Sequence, residues 1–121
     1  MMRQALWGQI LAVAALLLAG PAAAQDKGIR FWNLTANTVK QLYLSPAGKE
    51  DWGPNQCKND RDGEVDHDER LRISGIEPGR YDVKLADVRG RVCVVRNVEI
   101  KAAAVFTIEE KQLMECMQAR P

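Results

Sequence analysis

Between Lys58 and Glu69 the chain reads KNDRDGEVDHDE, and here its residue types come closest to a recognisable chemistry. Set against a twelve-position calcium loop, Asp60 falls at the third position, Asp62 at the fifth and Gly63 at the sixth, where the backbone turns sharply. Glu64 would offer a backbone carbonyl next, Asp66 takes the ninth position, and Glu69 takes the twelfth, the place of a bidentate carboxylate. Calcium is a hard cation that takes about 6–8 oxygens, and Asp60, Asp62, Glu64, Asp66 and Glu69 are the residues that would supply them. Two observations oppose this reading. Lys58 stands at the first position, where an ammonium repels a cation, and the flanks do not read as helices. The alternative is a solvated loop whose Asp-Gly step only makes a turn. Crowding works against that alternative: residues 59–69 hold six acids and one base, so drawing them together without a cation costs repulsion.

Other catalytic sets are thin. His67 is the single histidine, and Ser45 and Ser74, the two serines, lie outside any nucleophile-elbow pattern. There is no C-x-x-C, no close set of nitrogen and sulfur donors for zinc, and no G-x-G step to cradle a phosphate. The three cysteines, Cys57, Cys93 and Cys116, leave one unpaired if a disulfide forms. Cys57 sits in a polar loop and Cys116 near the C-terminus, so joining them would constrain the unfolded chain most, by about 3–4 kcal/mol for a loop of about 60 residues. That pairing is the expectation, although spacing leaves the connectivity open. Cys93, inside a β-type run, reads as a small buried apolar residue.

The elements that must position these residues are short strands. Residues 29–34 (IRFWNL) and 39–45 (VKQLYLS) flank a turn and look like a hairpin, the second alternating Leu42 and Leu44 against Gln41 and Tyr43. A long acidic loop follows over 46–68, and its Trp, Cys and clustered acids argue for order. Strands resume at 69–74, at 81–86 with Tyr81, Val83 and Leu85 on one face, at 91–100 with Val92, Val94 and Val98, and at 104–108. Thr107 and Glu110 form a capping-box pattern before a closing helix at about 109–118, with Leu113, Cys116 and Met117 on one face. Trp32 and Phe106 read as core aromatics. Six or so strands with regular turn signals predict an all-β fold: one small antiparallel β-sandwich, immunoglobulin-like by frequency, ending in a short helix.

Residues 1–24 read as a secretory signal peptide. Arg3 supplies a positive start, residues 10–19 an uncharged apolar core, and Ala22-Ala23-Ala24 a small-residue cleavage site. The apolar run is short for a membrane span, so no stable anchor is expected after cleavage. Removing 24 of the 121 residues leaves 97, one domain spanning 25–121. Its 16 basic and 16 acidic groups cancel, which argues against a nucleic-acid partner.

The residues Asn33-Leu34-Thr35, Leu42-Tyr43-Leu44-Ser45-Pro46, Trp52-Gly53-Pro54-Asn55, the run PGRYDVKL at 78–85 and Gly90-Arg91-Val92-Cys93 resemble those of a group of small exported bacterial proteins of unassigned function. The likeness covers most of the chain beyond the leader. It implies a single β-sandwich-like domain and carries no catalytic residue. The expectation is therefore an exported, non-enzymatic structural or binding domain of the bacterial envelope, periplasmic or secreted, acting on an envelope protein or ligand. A calcium-binding module is the second reading.

Overall fold

The computed structural model describes residues 28–118, so the expected leader lies outside the described residues. The strands are β1 (Arg30–Leu34), β2 (Val39–Pro46), β3 (Arg70–Arg72), β4 (Gly79–Asp87), β5 (Val92–Ile100) and β6 (Val105–Glu109), followed by helix α1 (Glu110–Gln118). They form two three-stranded sheets, β3-β1-β6 and β2-β4-β5. Phe31, Leu71, Phe106 and Ile108 from the first sheet and Leu42, Val83 and Leu85 from the second belong to one buried cluster, which Leu113 of α1 joins. The expected all-β, sandwich-like domain with a closing helix is therefore present. Its pairings are antiparallel except that β1 runs parallel to β6, with Phe31 opposite Phe106.

The expected hairpin of the first two strands is not formed. β1 pairs with β3 and β6, while β2 crosses to the other sheet. The physical reason is Asn33, a fully buried amide at the end of β1. Its Oδ1 accepts from Thr35 N (2.9 Å) and Thr35 Oγ1 (2.7 Å), and its Nδ2 donates to Asn37 O (3.0 Å) and Val65 O (2.9 Å). These bonds satisfy the link internally and turn the chain out of its sheet, where a hairpin would have needed ladder partners.

The alternation along β1 also corrects the assignment of Trp32. Phe31 and Asn33 point inward, and the Phe31 ring packs 5.5 Å from that of Phe106. Trp32 lies on the other face, half-buried beneath the Arg70 guanidinium, which is 4.0 Å from its ring centroid. One residue of phase exchanges the two faces of a strand. In β5 the inward residue near the start is Cys93, whereas Val92 is exposed and Val94 half-buried.

A β-bulge shapes the β4–β5 ladder. Tyr81 pairs with Val98 and Val83 with Val95, so Arg96 and Asn97 together face Asp82. Asn97 takes a positive φ of 60°, and the carboxylate of buried Asp82 satisfies the freed backbone: its Oδ1 accepts from Asn97 N (2.9 Å). Its Oδ2 accepts from Gly48 N (3.0 Å) and Arg96 Nη1 (3.1 Å).

The disulfide joins Cys93 to Cys116, not Cys57 to Cys116, and Cys57 is a free, fully buried thiol. The unfolded-chain argument favoured the longer loop, but folding decides which cysteines meet. Cys57 packs under β2, with Sγ 3.8 Å from Val39 O, whereas Cys93 of β5 faces α1. The helix also starts differently from expectation. Glu109 N donates to Gln112 Oε1 (2.7 Å), one half of a capping box, and the expected Thr107–Glu110 box is not formed. Glu110 instead accepts from Arg91 Nη1 (2.7 Å) and Ala36 N (2.9 Å), tying the helix start to both sheets.

Candidate functional site

The acidic connection is ordered, and its main task is to cover the outer edge of β2. An edge strand leaves unpaired N–H and C=O groups that must find partners. Here Val39 and Val65 exchange both backbone bonds at 2.9 Å, Leu42 N donates to Asn55 Oδ1 (3.0 Å), and Leu44 O accepts from Gly53 N (3.0 Å). A 3-10 turn, Gln56–Asn59, carries the cover across to the first sheet. Buried Gln56 pairs with the Ser74 backbone like a strand: Oε1 accepts from Ser74 N (3.0 Å) and Nε2 donates to Ser74 O (2.9 Å). Asn59 Nδ2 reaches Arg72 O (2.7 Å). Asn55, Gln56 and Asn59 thus sew the two sheets together along one side.

The carboxylates of the calcium-loop pattern take up other duties. Asp60 Oδ2 accepts from Asp62 N (2.8 Å), Asp66 Oδ1 from Thr38 Oγ1 (2.8 Å), and Glu69 Oε1 from Asp66 N (2.7 Å). Asp62 sits exposed at the loop tip, and Glu64 is half-buried near enough to Cys57 to act on its thiol. Among the described residues no three of the His, Cys, Asp and Glu side chains converge on a cation-sized space. The structure therefore spreads these five residues along the connection.

Ser45 and Cys57 are engaged within the fold, and His67 is held by one ring nitrogen. His67 Nδ1 donates to Thr35 O (2.7 Å). Ser45 is fully buried, with Oγ accepting from Asp51 N (2.8 Å) and donating to Pro46 O (2.9 Å). Burial, reinforced by Asp60 and Glu64, pushes the Cys57 thiol up to about 12, so it stays protonated.

The sequence did not point to the cleft that the connection forms against β4. A surface hollow of about 380 Å3 opens between the 51–56 segment and the link from β3 to β4. Leu44, Pro54, Ile76 and Tyr81 give it apolar walls, and Asp51 and Glu77 stand on its lining. The segments that carry the walls are anchored at several points. Gly53 is bonded to Leu44, Asp51 N to Ser45, Gln56 to Ser74, and Tyr81 Oη donates to Glu77 O at 2.6 Å. Trp52, beside these groups, packs on Lys84, whose Nζ lies 4.7 Å from its ring centroid and 5.4 Å from that of Tyr43. The lining residues come from distant stretches of chain, two strands and two connections, none of which alone signals a cavity, so only the fold reveals the cleft. A pre-formed apolar hollow with a few polar groups is the usual form of a ligand site.

No family model matches this chain, and neither a curated protein nor a solved structure is similar to it at a significant level.

Proposed function

We propose that this chain is an exported, non-catalytic binding domain of the bacterial envelope, and that it takes its ligand in the cleft between the 51–56 segment and the β3–β4 link. The observation that carries the reading is the cleft itself, whose apolar walls are fixed before any ligand arrives. Pre-organisation lowers the ordering cost of binding. The Cys93–Cys116 disulfide supports an oxidising compartment, and the burial of Ser45 and of the Cys57 thiol supports binding over turnover. A small solvent probe tests the site without knowledge of the natural ligand. Titration of isotope-labelled protein with 2-propanol should shift the amides of Leu44, Ile76 and Tyr81 saturably and ahead of the rest. Shifts spread evenly over the surface, or gathered at Val92 and Val94 on the far edge of the same sheet, would refute it.

A further inference from the structure

Asp51 and Glu77 are the two acids on the lining of the cleft, and both are exposed. Asp60, Asp66, Asp68, Asp82 and Glu69 all accept hydrogen bonds within the fold. The Asp51 and Glu77 carboxylates, by contrast, take no hydrogen bond and no ion pair among the described residues, and only their backbones are engaged. No lysine or arginine lines the hollow with them. Of the bases nearby, Lys84 stacks on Tyr43 and Trp52, Arg80 pairs with Glu99 at 3.8 Å and Arg96 with Asp82, while Lys49, two residues before Asp51, is exposed and lies outside the lining. Gln56 and the Ser74 backbone, also on the lining, satisfy each other. The hollow therefore presents aliphatic and aromatic walls and two carboxylates with no basic side chain among the lining residues.

We infer that the cleft receives a lysine side chain of a partner protein. An unbranched apolar stem ending in an ammonium matches both halves of the lining. Its methylenes can bury against Leu44, Pro54 and Ile76 beside the Tyr81 ring, while its head stays at the mouth between the carboxylates. An anionic ligand would meet two like charges, and a neutral apolar one would gain nothing from them. This inference rests on the cleft being the binding site and adds the class of occupant.

The test is an NMR titration of the oxidised chain with three capped single residues: acetyl-lysine methylamide, its norleucine analogue and its glutamate analogue. The lysine probe should shift the amides of Leu44, Ile76 and Tyr81, binding about tenfold more tightly than norleucine, as two surface ion pairs would give. The glutamate probe should bind most weakly. In a chain carrying Asp51→Asn and Glu77→Gln, the lysine probe should fall to the norleucine affinity. Norleucine binding at the cleft as tightly as lysine would overturn the charge inference and leave the cleft as a binding site. Unchanged lysine affinity in the double variant would also overturn it. No response to any of the three probes would remove both the inference and the cleft reading.

Discussion

Asp82 shows how one side chain can hold a strand pair in an irregular register. In the sequence it reads as an outward polar member of an alternating strand, between Tyr81 and Val83. The bulge at Arg96 and Asn97 makes it a buried acceptor instead. Nothing in the local alternation announces a bulge on the opposite strand. Hydrogen bonds from the backbone of Gly48, then of Asn97, and the Arg96 guanidinium hold its carboxyl below the usual carboxylate range. A depressed folded value means that the stability it contributes is full above the unfolded value, ~4, and is lost as the pH falls through the folded one. Glu110, depressed by Arg91 and by Ala36 N, acts in the same direction. The melting temperature should therefore drop on acidification below about pH 4. Asp82→Asn should be less stable at neutral pH by roughly 1–3 kcal/mol and less sensitive to acid in that window. Parallel melting-temperature profiles for variant and parent would contradict this.

At the scale of elements, the strands were legible because their apolar residues alternate, and the closing helix because Leu113 and Cys116 recur at helical spacing. What lay beyond reach was how the elements meet. Asn33 turns an apparent hairpin into a crossing between sheets, and the facing of β5 toward α1 sets the disulfide, which no spacing rule encodes. Helix α1 is consequently fastened twice, at Glu110 by Arg91 and Ala36 and at Cys116 by Cys93. The bond closes a separation of 23 residues, so its loss should cost about 3 kcal/mol. Replacing both cysteines by serine should lower the melting temperature and raise hydrogen exchange at Leu113 to Cys116 before it does so at Glu109 and Glu110. Uniform loss of protection along the helix would show that the two fastenings do not act independently.

For the whole molecule, the 46–68 stretch was recognised as a long, ordered, acidic loop, and its residue types suggested an ion site. Its position against two sheet edges could not be read, because a side-chain amide that imitates a strand leaves no periodic signal. The amides of Asn55, Gln56 and Asn59 stitch the sandwich on one side, while α1 and the disulfide close the other. Since Asp60, Asp66 and Glu69 already serve the fold, thermal unfolding with millimolar calcium and with chelator should give the same midpoint. A calcium-specific rise abolished by Asp62→Ala would instead establish an ion site in this connection. The parallel pairing of β1 with β6 adds a condition on the order of assembly. The first strand finds its longest partner in the last one, with five residue pairs from Arg30–Val105 to Leu34–Glu109. Until that final segment is delivered, β1 has only the three-residue β3 beside it, and Phe31 lacks the ring that packs against it. Completion of the first sheet therefore waits for the C-terminal segment, whereas β2, β4 and β5 can pair without it.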